Sequence, residues 1–264
     1  MARSYSFTHA IVRQPSLSAV NGLRAVDQGA PDLTRFKEHH AAYVDALRTT
    51  GAEVHVAEPL EAYPDAVFVE DTALCLNEGV VLMRPGAPTR IGEVDHMEPI
   101  LRRLYDDVVA IEAPAFIEGG DILTTEREVL IGLSNRTTTQ GVEALRSVVT
   151  RWGYTVRQVQ TPPGVLHFKT DCSLLDEETI LATPRLNASG CFEGYRVIET
   201  ASGEEASANA IRFNNLVLMA DGFPRTQERL VSAGYDVRVI GNSEAAKLDG
   251  GMSCLSLRFT PPAR

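Results

Sequence analysis

The sequence predicts an α/β fold, a propeller-like ring of five ββαβ units forming a single domain over residues 1–264. Three observations lead there. Asp71, Asp121 and Asp171 recur fifty residues apart, each just ahead of an apolar run. Gly153-Tyr-Thr-Val-Arg-Gln-Val159 and Gly234-Tyr-Asp-Val-Arg-Val-Ile240 are nearly one phrase, and Gly51-Ala-Glu-Val-His-Val56 is a third version of it. The two ends of the chain each carry part of a unit: His9-Ala-Ile-Val-Arg13 reads as a strand without a hairpin partner, and the segment 250–259 as a first hairpin strand without a return. Repetition at this period marks a radial or solenoid architecture, and ends that complete one unit imply closure.

The elements follow in chain order. A helix is expected over residues 32–49, then the strand 51–56. The first hairpin follows Asp71, turns at Asn77-Glu78-Gly79 and returns through Val80-Val-Leu-Met83. Helical spacing follows at Met97, Ile100, Leu101 and Leu104. A second hairpin follows Asp121, turning at residues 125–128 before Val129-Leu-Ile-Gly132, with a helix marked by Val142, Leu145, Val148 and Val149. A third follows Asp171 and returns through Ile180-Leu-Ala182. The fourth lacks the Asp: Asn209-Ala-Ile-Arg-Phe213 turns at Asn214-Asn215, suited to positive backbone angles, and returns through Leu216-Val-Leu-Met219 before a helix around Leu230. The strand starts holding Asp71, Asp121, Asp171 and Cys254 are expected around one central channel, where polar groups distant in sequence can converge.

Composition narrows the function. With 44% apolar residues the chain can bury a core. Apolar runs such as 80–83 and 216–220 are far too short to cross a bilayer, and residues 1–20 lack the order of a signal peptide, so a cytoplasmic location is the default expectation. Cys75, Cys172, Cys191 and Cys254 form neither CxxC nor CxH, which suggests no zinc site and no disulfide framework. A formal net charge of −10, with no run of Lys or Arg, argues against nucleic acid as a partner.

Cys254 sits in Gly250-Gly-Met-Ser-Cys254, where glycine permits close backbone approach beside a thiol. Cys75 and Cys172 lie inside strand patterns and read as small buried hydrophobes, and Cys191 as loop. Of six histidines, five have plainer readings on helix or strand surfaces; His167 opens the third repeat and aims at the channel. Glu118 holds the corresponding place in the second repeat. A Cys, a His and a carboxylate from three units can thus meet as nucleophile, base and orienting group. The segment Pro64-Asp-Ala-Val-Phe-Val-Glu-Asp71 is apolar enough for a strand yet carries three carboxylates. Buried unpaired they would cost several kcal/mol, so a bound cation is the better partner, and a planar guanidinium fits two carboxylates. Arg136 and either Arg84 or Arg90 follow equivalent strands of neighbouring repeats and could clamp a carboxylate.

These segments, with Arg84-Pro-Gly-Ala-Pro-Thr-Arg90, Ile117-Glu-Gly-Gly-Asp121, Val165-Leu-His-Phe-Lys-Thr170, Gly222-Phe-Pro-Arg-Thr226 and Leu248-Asp-Gly-Gly-Met-Ser-Cys254-Leu-Ser-Leu-Arg-Phe259, resemble the dimethylarginine dimethylaminohydrolases of the guanidine-modifying, or pentein, superfamily across essentially the whole chain. The resemblance implies a five-unit ββαβ propeller and hydrolysis of asymmetric dimethylarginine or monomethylarginine to citrulline, with no metal or organic cofactor. It further implies Cys254 as nucleophile, His167 as acid and base, and Glu118 as its supporting carboxylate, a place where the family uses Glu or Asp. Glu70 and Asp71 would face the guanidinium. Asp65 and the main chain at Leu23 and Leu248 would face the α-amino group, and Arg90 and Arg136 the carboxylate. Leu23 lies in a glycine-containing segment suited to a mobile lid. The implied partner is a small methylated arginine; membrane is excluded and a homodimer allowed. Arginine deiminase and amidinotransferase share the chemistry, and a non-catalytic ribosome-binding factor shares the ring. Carboxylates near Cys254 should hold it as a neutral thiol beside a neutral His167.

Overall fold

The computed structural model describes residues 4–263. Five three-stranded sheets share one plan, a short antiparallel hairpin in which one strand also pairs in parallel with a third strand of the unit. The first unit begins with β1 (His9–Arg13), α1 (Leu33–Arg48) and β2 (Glu53–Ala57), β1 and β2 pairing in parallel. The second has β3 (Ala73–Cys75), β4 (Val80–Leu82), α2 (Glu98–Leu101) and β5 (Val108–Ala110). The third has β6 (Ile122–Thr124), β7 (Val129–Leu133), α3 (Thr139–Val149) and β8 (Val156–Gln160). The fourth has β9 (Cys172–Leu174), β10 (Thr179–Ala182), α4 (Pro184–Asn187) and β11 (Arg196–Glu199). The fifth has β12 (Ile211–Phe213), β13 (Leu216–Ala220), α5 (Pro224–Ser232) and β14 (Asp236–Ile240). After α6 (Ser243–Ala246), β15 (Leu257–Phe259) pairs antiparallel with β1, His9 opposite Phe259, and completes the first unit as the sequence predicts.

Local chemistry accounts for the elements. Asp32 caps α1 by accepting the Thr34 and Arg35 N–H groups, and Phe36, Tyr43, Val44 and Leu47 form its buried face. The expected positions Val142, Leu145, Val148 and Val149 are all buried on α3, which Thr138 caps. Gly51, Gly153 and Gly234 have φ of 86°, 92° and 93°: each ends a helix in the left-handed region and opens the following strand, which is why those three segments read alike. The spacing at 97–104 yields a helix of only four residues, with Pro99 in its first turn; single hydrogen-bonded turns carry the chain on to Tyr105. At the fourth hairpin only Asn214 of the Asn pair takes a positive φ, 56°, and its amide ties the turn to Phe7 through both N–H and carbonyl.

The recurring acidic residue is a staple between units. Asp71 Oδ1 accepts the Gly120 N–H of the next unit at 2.8 Å, and Asp121 Oδ1 accepts the Phe168 N–H of the next at 2.8 Å. Asp171 instead holds Arg185 and the Thr183 hydroxyl within its own unit.

One expectation is corrected. The segment before β3 is not a strand up to Asp71: Val69–Thr72 is a 3-10 turn, and Cys254 likewise sits in the turn Ser253–Leu255 ahead of β15. A strand would send Glu70 and Asp71 to opposite faces, whereas the turn lets both reach buried partners on neighbouring units. Among the described residues, no helix is long and apolar enough to cross a membrane.

Candidate active site

Four short turns build the site: Val69–Thr72, Gly119–Asp121, Phe168–Thr170 and Ser253–Leu255. They pack against one another in the order of the ring, and two glycines allow it. A Cβ on Gly119 would lie 1.9 Å from the Glu70 carbonyl oxygen, and one on Gly120 would lie 2.6 Å from His167 Nδ1.

On this frame Glu118 and His167, from adjacent units, meet. His167 Nε2 is 2.6 Å from Glu118 Oε2, and both side chains are buried. The other oxygen, Oε1, accepts the Gly86 N–H at 2.9 Å and Arg136 Nη1 at 3.2 Å. Burial disfavours both charges, but the hydrogen bond and charge of His167 hold Glu118 well below the usual carboxylate range. Burial also works against the imidazolium; Asp71, the bond to Glu118 and Asp121 outweigh it and raise His167 to about 9. The expectation of a neutral resting His167 is therefore corrected: carboxylates crowd it closely enough to keep it charged at neutral pH.

The Cys254 thiol behaves as expected. Burial first, then Glu70 and Asp71, push it up to about 11, while the Gly251 N–H at 3.4 Å and the Asn209 amide at 3.8 Å pull the other way. Burial also pushes Cys75 and Cys172 well up, and neither has a histidine or carboxylate hydrogen-bond partner.

The predicted carboxylate pair divides its work. Glu70 Oε1 takes Lys169 Nζ and Arg258 Nη2, each at 2.6 Å, while the buried Oε2 has no hydrogen-bond partner among the described residues. Both Asp71 oxygens are taken, Oδ1 by Gly120 and Oδ2 by Arg90 Nη1 at 2.7 Å. Arg90 is itself buried and also donates to Glu93 and to the Phe68 carbonyl, leaving one Nη1 hydrogen uncommitted. Arg136 is more open, its side chain 19% exposed.

Asp65, Leu23 and Leu248 come together. Leu23 N–H donates to Asp65 Oδ1 at 2.9 Å, and the Gly22 backbone abuts both Asp65 and the Leu248 side chain. Burial raises the Asp65 carboxyl, and the charges of Arg90 and Arg136 pull it back. The expected lid is anchored here by the Ala25 N–H, which donates to Asp249 at 2.6 Å; Val26 beyond it is exposed.

Sequence reasoning missed Lys169, Arg258, Glu93 and Asn209. Glu93 had a signal, three residues beyond Arg90 in a helical run; Lys169 lay inside a quoted motif, and Asn209 occupied the Asp position of its hairpin. A cavity of about 420 Å³ reaches Glu70, Lys169, Ser253 and Arg258, but its walls do not include Cys254, His167 or Glu118. The ligand atoms of Asp71, Glu118 and His167 lie within 4.8 Å of one another, close enough to hold a metal ion, although the carboxylates already accept the N–H donors named above.

The family described as arginine deiminase matches residues 56–218. The N(G),N(G)-dimethylarginine dimethylaminohydrolase of Pseudomonas aeruginosa is 37% identical over 96% of this chain and 100% of its own length. That of Streptomyces coelicolor is 31% identical over 95% and 96%. A mutant of the Pseudomonas protein solved with citrulline superposes with a TM-score of 0.94 at 37% identity, covering 97% of this chain and 100% of that one. The N-terminal domain of the cyanobacterial arginine dihydrolase ArgZ, at 20% identity and a TM-score of 0.83, shares the fold.

Proposed function

We infer, because the chain belongs to the dimethylarginine dimethylaminohydrolase family, that it hydrolyses N-omega-methylated arginines to citrulline and a methylamine. The observation that carries the reading for this chain is the Glu118–His167 ion pair placed near Asp71, in a ring that also sets Glu70 and Asp71 against Cys254. An acid is ready to protonate an amine, and carboxylates are ready to receive a cation.

In this reading Glu70, through its unpartnered Oε2, and the charge of Asp71 receive the guanidinium. Arg136, with the remaining Nη1 hydrogen of Arg90, meets the α-carboxylate, and Asp65 with the main chain at Leu23 and Leu248 meets the α-amino group. The arriving cation offsets the carboxylates beside the sulfur, and Cys254 loses its proton to solvent. The thiolate forms a bond to the guanidinium carbon, whose C=N electron pair moves to nitrogen. Protonated His167 gives its proton to the dimethylamino nitrogen as the C–N bond breaks, dimethylamine leaves, and a thiouronium remains on Cys254. Neutral His167 then takes a proton from water. The hydroxide adds to the same carbon, the C–S bond breaks with the electron pair returning to sulfur, and the new hydroxyl passes its proton to the Cys254 thiolate, which restores the thiol as citrulline leaves. Glu118 orients the imidazole throughout and favours its protonated form.

Citrulline formation by the purified protein, compared for asymmetric dimethylarginine, monomethylarginine and arginine, tests the reading. Turnover of the methylated substrates is expected; turnover of arginine alone would make the chain an arginine deiminase, and no citrulline from any of the three would overturn the reading.

A further inference from the structure

We propose that Asn209 is a further residue of the reaction, fixing the Cys254 sulfur for attack and donating a hydrogen bond to it as a thiolate; this rests on the reading of Cys254 as nucleophile. Asn209 stands two residues ahead of β12 as Asp71 stands two ahead of β3. It keeps the staple role: its Oδ1 accepts the Ser253 N–H of the next unit at 2.9 Å, as Asp71 accepts Gly120 and Asp121 accepts Phe168. What differs is the second atom. In place of a carboxylate oxygen, Asn209 presents Nδ2, 3.8 Å from Cys254 Sγ.

The orientation of this amide follows from its partners. Turned over, it would point an N–H at the Ser253 N–H, donor against donor, and lose the staple. Oδ1 toward Ser253 therefore commits Nδ2 to the sulfur. The backbone carbonyl of Asn209 accepts the Met252 N–H at 3.3 Å, so one residue holds the nucleophile turn at two points. Gly251 makes room for the close approach: a Cβ there would lie 2.2 Å from the Asn209 side-chain carbon, and its own N–H reaches Sγ at 3.4 Å. Two N–H donors thus converge on one sulfur, which as a thiol accepts them weakly and as a thiolate strongly.

The charge pattern explains why this unit departs from the repeat. Glu70 and Asp71, on the turn packed against that of Cys254, already oppose a thiolate, and Arg258 directs Nη2 to Glu70 and Nη1 to the Ser253 and Ser256 carbonyls and the Ser256 hydroxyl. An Asp at 209 would keep the staple but put another carboxylate against the sulfur and remove a donor. The amide keeps the acceptor, supplies the donor and carries no charge.

The test compares Asn209→Asp and Asn209→Ala with wild type, measuring kcat, KM, thermal unfolding, and the pKa of the Cys254 thiol from the pH dependence of its alkylation by iodoacetamide. Asn209→Asp retains the Ser253 acceptor, so it is the variant expected to fold normally. Each folded variant should lose about ten- to a hundredfold in kcat, the worth of one hydrogen bond to a charged group, with KM changed little. The thiol pKa should rise, and raising the pH while staying below about 9, where His167 keeps its proton, should recover part of kcat in Asn209→Ala. A folded variant with the wild-type kcat and thiol pKa overturns the proposal. Cys254→Ser, run alongside, separates the two readings: if it turns over, the nucleophile assignment itself has failed, and if it is inactive while the Asn209 variants match wild type, only the role of Asn209 has.

Discussion

His167 and Glu118, 49 residues apart on turns of adjacent units, meet at 2.6 Å with both side chains withdrawn from water. His167 is raised from 6.5 to about 9, so its contribution to stability is complete below 6.5 and is lost as pH rises through 9. Glu118 is depressed from 4.5 to about 2, so its contribution is complete above 4.5 and is lost as pH falls through 2. The pair therefore stabilises most between the two ordinary values. Glu118→Gln, which keeps an acceptor for Gly86 but not the charge, should cost about 3 kcal/mol in urea unfolding in that window. The deficit should shrink above pH 9, and the alkaline limb of kcat/KM should move to lower pH. A deficit that grew above pH 9 would show that the charge of His167 is not what the pair holds.

Cys254→Ser and His167→Ala should each abolish citrulline formation while circular dichroism shows the fold retained, since each removes a covalent or proton-transfer step without a large core cavity. Cys75→Ser should keep turnover, because its thiol lies among apolar neighbours of β4 and β5. A dead Cys75 variant beside an active Cys254 variant would reverse the assignment.

The two arginines should separate. Arg136→Ala, at a partly open position, should weaken substrates bearing an α-carboxylate by about 1.5 to 3 kcal/mol more than a decarboxylated analogue, and should lower Tm less than Arg90→Ala because Glu118 keeps His167 and the Gly86 N–H. Arg90→Ala strands Asp71 and Glu93 without their buried cation and should destabilise the protein by about 3 to 5 kcal/mol. Equal losses for both ligands in Arg136→Ala would remove it from the carboxylate grip, and an unchanged urea midpoint in Arg90→Ala would remove the ion network from the fold.

Cys254, pushed up to about 11 by burial, Glu70 and Asp71, should be a neutral thiol in the empty enzyme near pH 7. A slow cationic substrate analogue, by neutralising those carboxylates beside the sulfur, should lower its pKa. Thiolate absorbance, taken as wild type minus Cys254→Ser across pH with and without the analogue, measures both values. A free-enzyme pKa well below 7 and indifferent to the analogue would indicate a resting Cys–His ion pair instead.

Much of this protein is written locally. Alternation with a period of two, helical spacing such as Val142–Leu145–Val149, and the glycines that end helices at positions 51, 153 and 234 are properties of a few neighbouring residues, so the sequence alone discloses the five units and their closure. The recurring Asp was also legible as a pattern, and with it the expectation that Glu118, His167 and Cys254 converge. The pairing of Glu118 with His167 was expected from the family resemblance and is present, but most of the contacts around them were not legible. Arg90 is held by Asp71 and Glu93, Glu70 keeps one oxygen free while Lys169 and Arg258 share the other, and Asn209 turns its amide toward the sulfur. Those outcomes depend on competition among donors and acceptors brought together from positions 3 to 188 residues apart, and on which charges burial allows to persist. Folding must bring such partners into hydrogen-bonding range before either effect exists, and no spacing along the chain encodes who wins.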